Sequence, residues 1–195
     1  MVIDRGQNVY GINNFINTPL WNVIEEQLNS SNLNWEDGIA NTIDGRNHLD
    51  IRKTKIAWIV DRYVRTQLFH SVDSYNKENW NYDLDGCDAL QYGIYSDGGH
   101  YNWHVDHELE IAKIDNKSLI RKLSVTIWLN DPDEYEGGEL DIEVYGPYEN
   151  KRYDTLKLSK GSIVIFPSDK WHRVRPVTSG VRKSLVTWFR GPPFK

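Results

Sequence analysis

Between residues 88 and 189 the chain is a succession of short apolar runs separated by turn residues, and no other feature restricts its fold as much. The runs cover 88–95, 100–106, 119–130, 138–145, 154–158, 161–166, 171–177 and 182–189. Asp97-Gly98-Gly99, the stretches NDPDEYEGG and YGPYEN, and Lys160-Gly161 stand between them, all rich in residues that accept tightly turned backbone. Consecutive short strands of this kind close into a sandwich or a barrel. Upstream the period changes. NTPLWNVIEEQLNSSN reads as a helix, with Thr18 as N-cap, Pro19 at the first helical position and Trp21, Ile24 and Leu28 on one face. IRKTKIAWIV at 51–60 reads as a strand, and 61–79 as a second helix with Val64, Leu68 and Val72 at four-residue spacing.

These elements predict an α+β chain with its helices packed outside a double-stranded β-helix (a cupin-like jelly roll). At 195 residues, without internal repeat, low-complexity tract or linker, one domain over 1–195 is expected. Its helix-rich support spans about 1–87 and its jelly-roll core about 88–190. Cys87 is the only cysteine, which excludes an intrachain disulfide and a cysteine-based zinc site and fits a reducing compartment. The net charge of −5 disfavours an electrostatic hold on nucleic acid. No run approaches the ~20 apolar residues of a membrane span, and MVIDRGQNVYGINNF lacks the layout of a signal peptide, so a soluble, cytoplasmic protein is expected. Oligomeric state is not legible.

Residues two apart in a strand face the same side, so His104 and Asp106 in YNWHVDH project together while Val105 turns away. His172 in DKWHRVRPV follows the run GSIVIFPS and is placed to add a third ligand from across the barrel. Two imidazoles and a carboxylate occupy one face of octahedral iron(II) and leave the opposite face open. The spacing alone is weak, because a second H-x-D occurs at His48-Leu49-Asp50. That copy sits in a turn-rich stretch with no distal partner and reads as structural. His100 and His107 read as packing or surface residues. Arg182 lies on the run after His172 and shares a face with Ser184, Val186 and Trp188. A lone arginine there is either a solvated strand residue or, if buried, one that needs a fixed anion.

The run YSDGGHYNWHVD (Tyr95 to Asp106), then RKLSVTIWLND, EGGELDIEV and KGSIVIFPSDKWHRVRPVTSGVRKSLVTWF, resembles the prolyl 4-hydroxylase branch of the iron(II)/2-oxoglutarate oxygenases, and bacterial PKHD-type hydroxylases most closely. The resemblance covers about 88–190 in order. It implies metal ligation by His104, Asp106 and His172, and binding of the distal 2-oxoglutarate carboxylate by Arg182. It implies a 2-oxoglutarate contact for Tyr95, which otherwise reads as a core aromatic, and a place near substrate for Arg121, which otherwise reads as an exposed charge at a strand start. Trp188 would wall the same interior. Trp128 departs from the pattern, since related enzymes often carry tyrosine there; Thr126 and Ser124, on its strand face, are candidates to supply the missing hydroxyl. Gly137-Gly138 reads as a fold marker.

The implied cofactors are Fe(II), 2-oxoglutarate and O2, with ascorbate as an accessory reductant. The implied reaction is C–H hydroxylation with release of succinate and carbon dioxide, on prolyl residues of a peptide or protein. Two alternatives stay open: hydroxylation of a free amino acid or other small metabolite, and a non-catalytic cupin-like binding module. Peptide substrate would call for a covering segment, for which the polar stretch 71–86 is the candidate.

Overall fold

Two side chains start the two helices. Asn17 accepts the backbone N–H of Leu20 at 3.0 Å, and Asp61 accepts that of Val64 at 2.8 Å. The computed structural model describes residues 2–4, 9–39, 49–107, 111–144 and 152–194. His48 and the YGPYEN turn lie outside the described residues. In chain order the elements are β1 (Val2–Asp4), β2 (Tyr10–Ile12), α1 (Thr18–Leu28), β3 (Glu36–Asp37), β4 (Arg52–Lys53), β5 (Lys55–Ile59), α2 (Arg62–Asn79), β6 (Gly86–Cys87), β7 (Leu90–Tyr95), β8 (His100–His104), β9 (Ala112–Ile114), β10 (Lys117–Trp128), β11 (Tyr135–Gly137), β12 (Leu140–Glu143), β13 (Tyr153–Leu156), β14 (Ile163–Pro167), β15 (His172–Val174), β16 (Val177–Gly180) and β17 (Arg182–Gly191).

The fold is mostly β-sheet with two helices. One sheet runs β1-β2-β14-β10-β17-β7-β5-β3, a second runs β13-β12-β15-β8-β4, and β11 pairs with β16. Strand parity divides the apolar residues of the first sheet between two cores. Leu123, Val125 and Ile127 of β10, Ile163 and Ile165 of β14, and Leu185 and Phe189 of β17 pack with Leu20 and Ile24 of α1 and Val64, Leu68 and Val72 of α2. Their neighbours Trp128, Val164, Phe166 and Tyr95 pack instead with Leu140, Ile142 and Val174 of the second sheet. The helices therefore cover one face of the large sheet, and the other face meets the small sheet. No helix among the described residues is long and apolar enough to cross a membrane.

Four expectations need correction. Thr18 is not the cap of α1 but its first residue, because Asn17 takes the capping role and Asn outranks Thr there. The single strand at 51–60 is two: β4 pairs with β8 in the small sheet, whereas β5 pairs with β7 in the large one. Thr54 marks the crossing, its hydroxyl donating to Ile94 O at 2.9 Å. The run 171–177 also divides, into β15 and β16, which belong to different sheets. Finally, 71–79 of the proposed covering segment is the second half of α2. Beyond it, the Asn76 side chain holds both Tyr82 O, at 2.8 Å, and Tyr82 N, at 2.9 Å.

Candidate metal centre

His104 ends β8 and His172 begins β15, and the two strands pair antiparallel with these residues opposite each other. Asp106 lies just past the end of β8, so the single strand expected at 100–106 stops at His104. What fixes the aspartate is the turn before β15, where Ser168 O accepts the N–H groups of both Asp106 and His107 at 2.9 Å. The His104 Nε2 to Asp106 Oδ1 distance is 3.7 Å, and His172 Nε2 to Asp106 Oδ2 is 3.3 Å. One ligand atom from each residue lies within 4.8 Å of the others, the one such group among the described residues.

The protonation states suit a metal. Nδ1 of His104 lies 2.7 Å from Asn102 O, and Nδ1 of His172 lies 2.9 Å from Lys170 O. A carbonyl only accepts, so each Nδ1 carries a proton and each Nε2 is the nitrogen left to bind a metal. Burial, then the neighbouring His172, lower the His104 pKa to about 3. Burial pushes Asp106 up, but His172, His104 and the Ser124 hydroxyl outweigh it and hold the carboxyl below its ordinary range. Burial alone would lower His172; the Asp106 carboxylate beside it raises it. These two groups titrate as a pair. With the His172 Nε2 proton displaced, as any bound metal requires, two imidazoles and a carboxylate are a donor set for a divalent first-row ion such as iron(II).

Around the triad lie Tyr101 and Arg52, to which the sequence assigned no role, together with residues to which it did. The Tyr101 ring stacks on His104 with centroids 3.5 Å apart and 12° between planes, and the Arg52 guanidinium sits 4.5 Å from the Tyr101 centroid. Burial raises the Tyr101 pKa to about 12, so it stays a neutral phenol. The Ser124 hydroxyl donates to Asp106 Oδ2 at 2.7 Å and lies 2.9 Å from the Ser168 hydroxyl. Ser124 therefore serves the aspartate, not the neighbourhood of Trp128. Thr126 lies between them on β10, opposite Val164 and Val186. His100 is tied to Gly98 O at 2.9 Å and Asp50 O at 3.2 Å, and His107 is exposed.

Arg182 opens β17 opposite Tyr95 on β7 and is 1% exposed. Its guanidinium carbon lies 5.2 Å from the Tyr95 ring and 5.8 Å from the Trp128 ring. Nη1 donates to Ser184 Oγ at 2.8 Å, but Nε and Nη2 make no hydrogen bond among the described residues. A guanidinium edge left open in the interior has the geometry to take a bidentate carboxylate. Gly138, at φ +65°, makes room for this packing: a Cβ there would lie 3.0 Å from Arg182 Cδ and 3.2 Å from Tyr135 Cε2.

Arg121 is not an exposed charge. A β-bulge between Arg121 and Leu123 shifts the parity of β10 and brings Arg121 onto the face of Ser124 and Trp188. There its guanidinium lies 3.8 Å over the Trp188 ring, while Asp88 contacts it at 3.4 Å and also holds Arg190 at 2.6 and 3.0 Å. Trp188 pairs across the sheet with Ser124 and so stands beside the residue that holds Asp106.

Residues 90–190 match the family model of the 2OG-Fe(II) oxygenase superfamily, more than half of the chain. The chain belongs to this superfamily. The oxygenase is 39% identical over 98 residues to a PKHD-type hydroxylase of Acidovorax ebreus (strain TPSY), a match covering 50% of this chain and 41% of that protein. It is 44% identical over 99 residues to a PKHD-type hydroxylase of Psychrobacter sp. (strain PRwf-1), covering 50% and 36% respectively. The matched segment thus spans only about two fifths of these relatives' own length.

Two solved structures share the fold of the oxygenase. A Pseudomonas putida prolyl-4-hydroxylase aligns with TM-score 0.67 at 19% identity, over 96% of this chain and 94% of that one. A prolyl hydroxylase from Trichoplax adhaerens, in complex with a peptide fragment of the hypoxia inducible factor oxygen degradation domain, aligns with TM-score 0.69 at 22% identity, over 94% and 83%. The triad, Tyr95, Arg121, Thr126, Trp128, Arg182 and Trp188 of the oxygenase all fall inside the family span.

Proposed function

We propose that this oxygenase is one domain, a double-stranded β-helix over about 88–190 with its helical support, and that it hydroxylates prolyl residues of a peptide or protein. The observation that carries the reading is the coexistence of an open His-Asp-His face with a buried arginine edge that has no anion of its own. A simple metal-binding module has no use for such an arginine. Iron(II) with bound 2-oxoglutarate and dioxygen would supply the C–H oxidation, releasing succinate and carbon dioxide.

The chain's own part is binding and orientation. His104, Asp106 and His172 hold the metal from one side, their donor atoms fixed by the Asn102 and Lys170 carbonyls and by Ser124. Arg182 receives the far carboxylate of the co-substrate and so sets how it presents its 2-oxo acid end. Tyr95 and Trp128 wall that end. Arg121 and Trp188 form a cationic, aromatic face beside Asp106, suited to a prolyl ring with its peptide carbonyls. The prolyl preference is supported by the names and folds of the relatives.

The test is direct. Anaerobic addition of Fe(II) and then 2-oxoglutarate should give a visible charge-transfer band, and oxygen should then release succinate. Proline-rich peptides and free amino acids offered in parallel should separate by mass, with a gain of one oxygen atom on the peptides. A gain on free amino acids alone would replace the peptide reading with the small-metabolite one. Binding of metal without any response to 2-oxoglutarate would leave only a cupin-like binding module.

A further inference from the structure

Four donor groups meet in the interior near Arg182, and none of them makes a hydrogen bond of good geometry to an acceptor among the described residues. They are Arg182 Nε and Nη2, Trp128 Nε1 and the Tyr135 hydroxyl. Their side chains are among the most deeply buried in the molecule, at 1% exposure for Arg182, 0% for Trp128 and 3% for Tyr135. Tyr135 comes from β11, which belongs to neither of the large ladders and pairs only with β16. It is nonetheless packed against Arg182 through Gly138, whose missing side chain leaves both within about van der Waals reach of one point. Burial raises the Tyr135 phenol above its ordinary value, against the charge of Arg182 and the weak approach of the Trp128 and Arg182 N–H groups to the phenol oxygen.

Unmet buried donors cost on the order of 1–3 kcal/mol each, and a set of them around one point is stable only if something accepts from all. The acceptor must be strongly anionic, because the set contains a guanidinium and no carboxylate. Its capacity is also fixed by counting. Nε and Nη2 form one fork edge of the guanidinium, whose two edge hydrogens make four with those of the phenol and the indole. An ionised carboxylate has two oxygens and about four lone-pair sites.

We infer that Tyr135 is a co-substrate-binding residue, which with Arg182 and Trp128 completes a cradle for the distal carboxylate of 2-oxoglutarate. This rests on the co-substrate reading above and extends it to a strand that the sequence reading did not involve. The phenol enters from β11 rather than from β10, where Trp128 offers an N–H and no hydroxyl. It also gives Gly138 a function, since an added methyl group would push apart the two donors it separates.

The experiment compares two probes on the Mn(II)-loaded protein by calorimetric titration without oxygen. 2-Oxoglutarate carries the distal carboxylate; 2-oxobutyrate has the same 2-oxo acid head and lacks it. Tyr135→Phe should weaken 2-oxoglutarate binding on the order of 10- to 100-fold, as expected for a hydrogen bond to a charged group, and leave 2-oxobutyrate and Mn(II) binding unchanged. An equal loss for both probes would make Tyr135 a structural residue only and overturn the inference. So would unchanged 2-oxoglutarate affinity in Tyr135→Phe while Arg182→Gln binds weakly, an outcome that spares the wider reading. If wild-type protein binds Mn(II) and neither probe, the co-substrate reading falls with it. The wild type supplies a second measurement that needs no variant: 2-oxoglutarate, and not 2-oxobutyrate, should perturb the near-ultraviolet tyrosine absorption.

Discussion

Asp106 is held by more hydrogen bonds than a surface carboxylate would be, and each has a separate purpose. Its backbone N–H is anchored on Ser168 O, and its Oδ2 receives the Ser124 hydroxyl. Groups that orient metal ligands typically contribute 10- to 100-fold in metal affinity or activity. Ser124→Ala should therefore weaken Mn(II) or Fe(II) binding on the order of 10-fold, with Ser124→Thr restoring most of it. Asp106→Ala should abolish both metal binding and 2-oxoglutarate turnover; succinate release at the wild-type rate in that variant would remove Asp106 from the site. Cys87 gives a prediction of a different kind. The thiol is 7% exposed, and burial raises it above its ordinary pKa although Arg65 pulls the other way. Only thiolate alkylates rapidly, so at pH 8 the folded protein should react with iodoacetamide far more slowly than the urea-unfolded chain. Equal rates would mean that β6 opens readily.

At the scale of single elements, α2 and the small sheet make contrasting demands. Leu68 is fully buried between α2 and the large sheet. Leu68→Ala should cost about 2–5 kcal/mol in urea denaturation through lost burial and the cavity left behind. The small sheet instead carries a buried charge. Asp141 on β12 accepts from Arg173 Nε at 2.7 Å, Arg175 Nε at 2.8 Å and the Thr155 hydroxyl at 2.7 Å. Burial by itself would raise its pKa, but Arg175, Thr155 and Arg173 together lower it. A carboxyl depressed in the folded state adds stability above its unfolded pKa of about 3.9, and that stability is lost as pH falls through the folded value. Urea midpoints of wild type and Asp141→Asn should accordingly differ at pH 7 and converge in strong acid. A gap that stayed constant to low pH would assign the effect to packing instead.

The same elements show what local pattern reveals. His104, His172 and Arg182 were legible because each sits in a run whose period is visible over a few residues. The parity of Arg182, Ser184 and Trp188 was legible too, since β17 pairs without irregularity with β7 from Arg182 to Val186 and with β10 from Ser184 to Phe189. Arg121 was not, because the bulge that turns it inward exists only in the register between β10 and β17. The division of 51–60 into two strands was hidden for a related reason: both halves look extended, and only their partners differ. Tyr135 sits in a strand of three residues, too short to show a period; Trp128 ends the strand just before it, but Arg182 comes from a distant part of the chain.

For the whole molecule, the candidate site lies where the two sheets meet and draws on both. His104 and His172 belong to the small sheet, Arg182 and Trp128 to the large one, and Asp106 is bound to Ser124 of the large one. Ligands that bind only this arrangement stabilise it by mass action, by about 2.7 kcal/mol at a hundredfold excess over Kd. Adding Mn(II) together with 2-oxoglutarate should raise the melting temperature more than Mn(II) alone, and a chelator should reverse both shifts. A melting curve indifferent to metal would place no ion between the sheets.

The pairing of β8 with β15 also has a meaning for biosynthesis. His104 and Asp106 leave the ribosome long before His172, and the opposite strand is needed to bring the second imidazole into place. Until then the nascent chain offers at most two weakly held ligands, with Arg182 still to be made. Long-range antiparallel closure of this kind is slow to form. A metal that needs all three ligands therefore finds its full site only once this long-range pairing has formed.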